Sequence, residues 1–209
     1  MIRALALCLL SFLPSIAGAE ALPALFSVKG VAANDVLNVR AAPSAEGDLL
    51  GSLPPGATGV EVVALNPEGT WGRVNIGETA GWVSMRFLAR EPGPDWISLD
   101  VPMSCYGTEP FWSLDYAPDR RNMMLRQMAD ENDLGLWINW HIATSGRNGQ
   151  IGWNLSGPAR QGFATLTAER CTDGMSDREM GLSISLFLNP DQESAAEPIG
   201  LSGCCTLSR

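Results

Sequence analysis

Residues 182–189 read "LSISLFLN", with Leu182, Ile184, Leu186 and Leu188 at every second position and Ser183, Ser185 and Asn189 between or after them. Side chains on a strand alternate faces, so this spacing gathers one apolar face and one polar face. A helix cannot collect positions two apart on one side, so the stretch predicts a strand in a sheet buried on one face. The same habit recurs in "FWSLDYA", "NMMLRQM", "LGLWINWHIA", "IGWNLSG", "GFATLTAERC" and "IGLSGCCTL", and "SLDVPMSC" supplies an eighth candidate. Short polar loops between consecutive strands favour an antiparallel meander, which closes into a barrel to remove exposed edges. One segment, "NMMLRQMADEND", also fits a short helix.

Upstream, "VLNVR", "VEVVAL", "WGRVNI" and "GWVSMRFL" are separated by "APSAEGD", "PPGA", "NPEGT" and "GET". These are strand lengths divided by turn residues. The prolines and glycine of "REPGPDW" interrupt the pattern and mark a boundary, with residues 91–96 as a linker. The chain therefore reads as all-β, in two units.

The N-terminal "ALALCLLSFLPSIAGA" follows Arg3 and ends in small residues, the pattern of a secretory signal peptide over residues 1–19. No later run reaches the roughly 18 apolar residues of a membrane span. A periplasmic or secreted protein without a transmembrane anchor is the expectation. Removing Arg3 with the signal leaves 13 basic and 23 acidic residues, a net charge of −10. An acidic chain of this kind is a poor partner for nucleic acid, whose phosphates need lysine and arginine. Cys8 leaves with the signal, and Cys105, Cys171, Cys204 and Cys205 make an even set suited to disulfides in an oxidising compartment.

"LNVRAAPS", "LLGSLPPGATGVEVV" and "TWGRVNIGETAGWVSMRFL" together resemble a bacterial SH3-like domain over residues 27–90. The resemblance implies a five-stranded SH3-like barrel with Leu37 and Val39 in its core, acting as a binding or targeting module of the cell envelope. Asn38 and Arg40 alternate outward and are candidate recognition residues. Trp71 and Trp82 are candidates for stacking on a peptide or glycan, against the alternative that they pack the wall of the domain.

In residues 97–209, "CYGTEPFWSLDY", "ERCTDGMSD" and "LSGCC" resemble a family of uncharacterised bacterial envelope proteins, often lipoproteins, marked by G-x-E-P-F-W and R-C-x-D-G-M-S-D segments. The chain departs from that pattern at Glu179-Met180, where Tyr-Pro is expected. Glu109, Trp112, Arg170, Asp173 and Asp177 are the candidate binding residues of this half. The acids around Gly174 have the wrong offsets for a calcium loop. "SDRE" predicts instead a capped helical turn, with Ser176 accepting from the amide of Glu179 and Glu179 reaching back. Cys204 and Cys205, being adjacent, face opposite ways and take different partners. Cys171 with Cys204 and Cys105 with Cys205 is the preferred pairing, the exchanged one its alternative.

Catalytic chemistry finds little support. With Leu136, Ile138, Trp140 and Ile142 pointing inward, the single histidine, His141, lies on the other face beside Asn139, and no nucleophile motif accompanies it. A carboxylate pair such as Glu109 and Asp173 needs a cleft that a small filled barrel does not offer. Cysteine spacing is wrong for zinc, and no cofactor is implied. The expected function is non-enzymatic binding in the envelope, to cell-wall peptide, peptidoglycan or an envelope protein. The alternative is inhibition of a secreted hydrolase such as lysozyme.

Overall fold

The computed structural model describes residues 21–128, 133–146, 149–191 and 197–208; the expected signal peptide lies outside them. The regular structure there is strand, apart from two short 3-10 turns at Met85–Phe87 and Trp96–Ser98. The N-terminal lobe holds β1 (Ala24–Val28), β2 (Leu37–Arg40), β3 (Leu49–Leu53), β4 (Val60–Val62), β5 (Ala64–Leu65), β6 (Trp71–Ile76), β7 (Thr79–Ser84) and β8 (Leu88–Arg90). The C-terminal lobe holds β9 (Met103–Thr108), β10 (Phe111–Ala117), β11 (Asn122–Gln127), β12 (Leu134–Ala143), β13 (Gln150–Gly157), β14 (Arg160–Cys171), β15 (Met180–Pro190) and β16 (Ile199–Leu207).

The second lobe is a closed antiparallel barrel of eight strands, a meander from β9 to β16 sealed by the pairing of β16 with β9. Its interior is filled by the alternate residues that the sequence pattern marks, among them Leu114, Leu125, Leu155, Leu166, Leu182 and Ile184, with Trp153 wholly buried at their centre. Residues 122–127 form a strand and not a helix. Alternation decides it: Met123 and Leu125 point into the core, while Arg126 on the outside pairs with Asp115 across the sheet and with Asp133 at 3.1 Å.

The adjacent cysteines do face opposite ways. Cys205 bonds Cys105, its direct cross-strand neighbour, inside the barrel, and Cys204 bonds Cys171 on the outside. In β12, however, the alternation does not run through. A bulge between Ile138 and Trp140 inserts one residue, and the side chains beyond it change face. Leu136 and Ile138 are buried as expected, but Trp140 and Ile142 are exposed, and His141 sits opposite the buried Trp153 instead of beside Asn139 on the outside.

The N-terminal lobe corrects the expectation of a closed five-stranded barrel. Its strands form two separate sheets, β3-β2-β7-β6-β5 and β4-β1-β8, packed around one core of Phe26, Val39, Val62, Val74, Val83 and Leu88. Two features keep it open. Pro54 and Pro55 lack N–H groups for a ladder, and Gly56 and Gly59, at φ +70° and +69°, turn the chain away after β3. After Val62 the chain then exchanges β1 for β6 as its partner, so β3 and β5 remain the edges of the larger sheet.

The lobes are docked against each other. Leu25 packs against the barrel core, and Glu61 of β4 accepts the Leu207 amide at 2.9 Å and the Thr206 hydroxyl. Trp96, in the expected linker, is buried in the barrel core, and its Nε1 donates to the Leu22 carbonyl at 3.2 Å. Asp95 caps the 3-10 turn that places it, accepting from the amides of Ile97 and Ser98.

Candidate functional site

The loop 171–180 is an inter-lobe clasp and not a helical turn. Asp173 accepts the amides of Met175 and Ser176, each at 3.0 Å, and the Ser176 hydroxyl. Partial burial pushes its carboxyl up, but these bonds and the nearby Arg178 outweigh that and hold it below the usual aspartate range. The next residues are then extended. Asp177 bridges Thr79 in parallel, receiving the Ala80 amide and donating to the Glu78 carbonyl, both at 3.0 Å. The Glu179 amide, which a capping box would give to Ser176, goes to Asn75 Oδ1 at 2.9 Å, and Asn75 Nδ2 returns a bond to the Glu179 carbonyl at 2.8 Å. The buried Glu179 carboxylate lies 3.5 Å from Arg73 and 3.1 Å from Arg170. Backbone pairing with the other lobe has replaced the local helix.

The candidate residues of the barrel therefore do not share one site. Glu109, at the tip of the β9–β10 hairpin, and Asp173 line one shallow hollow. Trp112 and Asp173 border a second, mostly apolar one with Phe111, Met128 and Met175. Arg170 and Asp177 belong to the inter-lobe contact. Trp112 itself is a core residue. Its indole passes so close to Gly107 and Gly203 that a Cβ at either position would lie 2.0 Å from Nε1 or 2.7 Å from Cζ2.

On the N-terminal lobe, three candidates do meet. Asn38 and Arg40 of β2 and Trp71 of β6 line a groove of about 520 Å³, joined by Asp35, Arg86 and Phe87. Asn66, a buried residue that the sequence pattern does not single out, positions the indole: its Oδ1 accepts the amides of Thr70 and Trp71, each at 2.8 Å. Arg40 donates to the Gly47 carbonyl at 2.8 Å, and the Arg86 guanidinium lies over Phe87, 4.4 Å from the ring centroid. Neither arginine forms an ion pair among the described residues. Trp82 does not line the groove although it pairs with Arg40 on the same face; it is half-buried beneath the Arg73 guanidinium at 5.2 Å, and Arg73 in turn reaches Glu179 of the clasp. Arg86 and Phe87 lie within the quoted motif segment but in a 3-10 turn, whose direction no alternation pattern reports.

The described residues contain no cluster of three or more histidine, cysteine or acidic side chains that could hold a metal ion. They also contain no helix long and apolar enough to cross a membrane.

The fold is that of a two-lobed β protein with an SH3-like lobe beside a disulfide-bonded barrel. Residues 35–89 match the family of bacterial SH3 domains. No curated protein matches the chain.

Proposed function

We propose that this is an exported, non-enzymatic binding protein of the cell envelope, whose SH3-like lobe holds carboxylate-bearing cell-wall peptide in the groove of Asn38, Arg40, Trp71 and Arg86. The observation that carries the reading is the groove's composition. In a chain of net charge −9, two arginines without ion-pair partners among the described residues stand beside an indole on the lobe that matches the SH3 family. Arginine presents a planar fork to a carboxylate, and the indole offers a flat face to the peptide between such groups. The N-terminal sequence supports export, and an oxidising compartment suits the two disulfides.

Co-sedimentation with purified peptidoglycan tests the reading. The full chain should be enriched over an albumin control. Binding should weaken as salt rises from about 0.05 to 0.5 M, because exposed charge pairs are screened. Arg86→Ala and Trp71→Ala should each lower it about five- to tenfold. Wild-type protein that stays in the supernatant at low salt would remove the proposal.

A further inference from the structure

The bulge at Asn139 leaves an unusual surface on the barrel. Trp140 and Ile142 are 50% and 64% exposed, and around them stand Trp137, Phe163 and Phe187 at 49%, 39% and 57%. The pairing places Trp140, Asn154, Phe163 and Phe187 in one row across β12, β13, β14 and β15, all on the outer face. At about 4.8 Å per strand the row spans roughly 14 Å.

Glycines flatten it. A Cβ on Gly152 would lie 3.0 Å from Phe163 Cζ and 3.2 Å from Cε2, and one on Gly200 would touch Phe187 at 3.9 Å, so each ring lies down over a glycine instead of standing up. Asn154 is fixed in the row, its Oδ1 accepting from Asn139 at 2.9 Å and its Nδ2 donating to the Gly162 carbonyl at 3.2 Å. The flanking outward positions are Ser156, Gln161, Thr165, Ser185 and Asn189. None of the outward side chains in these rows is charged, although the chain carries 37 charged residues, 14 basic and 23 acidic.

That absence of charge selects the occupant. Among the described outward side chains of these rows, an ionic protein partner would meet nothing to pair with and an anionic lipid surface would find no lysine or arginine. A neutral sugar chain fits. The C–H face of a pyranose ring is apolar and lies flat on an aromatic ring, while its equatorial hydroxyl or acetamide groups reach amides and hydroxyls at the edge. We propose that the outer face of β12–β15 binds a neutral glycan strand laid along the row Trp140–Phe163–Phe187. This site lies on the other lobe from the arginine groove and stands whether or not that groove binds peptide.

The test is calorimetric titration of the full chain with hexamers of β-1,4-linked N-acetylglucosamine and of β-1,4-linked glucose. Saturable binding to either is expected, unchanged between about 0.05 and 0.5 M salt because no ion pair contributes. Trp140→Ala and Phe187→Ser should each weaken it about five- to tenfold, with unchanged melting temperatures because both side chains point outward. The salt response separates this site from the groove. Three results would overturn the proposal: no saturable heat with either hexamer, binding that both variants retain, or a wild-type dimer in sedimentation that Trp140→Ala dissolves, which would make a second copy the occupant.

Discussion

Glu61 crosses from one lobe to the other, and burial pushes its carboxyl up to about 7 despite the bonds from Thr206 and Leu207 and the charge of Arg178. Its proton is therefore held more tightly folded than unfolded, where it leaves near 4.5. The contribution to stability is full below about pH 4.5 and falls as pH rises through 7, a difference of roughly 3 kcal/mol. Urea midpoints of wild type and Glu61→Gln should diverge across that window. The variant keeps an acceptor for the Leu207 amide but has no proton to lose, so it should gain relative stability toward pH 7.5. A wild-type minus variant difference that does not change with pH would refute this.

At the scale of single elements, much of the barrel is legible in advance because its strands alternate strictly and pair with their sequence neighbours. Residues 182–188 illustrate this, as do the two cysteines whose opposite faces follow from adjacency alone. The failures have equally local causes. "LGLWINWHIA" is apolar at every second position on both sides of Asn139, so its pattern is the same with or without a bulge. The clasp reads as a capping box because the competing partner, Asn75, lies 104 residues away from Glu179. Its anchor is testable. The Cys171–Cys204 bond closes a separation of 33 residues, so removing it with the double serine variant should cost about 3 to 4 kcal/mol in non-reducing denaturation. The corresponding change at Cys105 and Cys205 should cost more, because that bond spans 100 residues and lies in the core.

At the scale of the whole molecule, the open N-terminal lobe and its docking depend on partners that no local pattern pairs. β1 precedes the SH3-like motif, yet it forms the middle strand of the second sheet and sends Leu25 to the barrel. The candidate groove was legible in part, through Asn38 and Arg40, which outward alternation marks, and through Trp71, which its place in the SH3-like motif marks. Arg86 was not, because it lies on a 3-10 turn. Docking also needs a small residue at Gly181, where a Cβ would lie 3.0 to 3.1 Å from three atoms of the Pro23 ring. Wild-type protein should melt in one calorimetric transition. Gly181→Leu, by forcing the lobes apart, should give two, with new proteolytic cleavage near residues 91–96. A single unshifted transition in the variant would show that the contact contributes little.

Asn139 has a consequence out of proportion to its size. With that residue present, the strand switches phase partway along, and a tryptophan and an isoleucine that would otherwise crowd an already full interior are turned out toward solvent. Pair it in an unbroken ladder instead, without the bulge, and strict alternation would send both bulky groups inward and bring the lone imidazole out. A single amide residue thus acts as a parity bit for the barrel, fixing which side chains the outside world can meet.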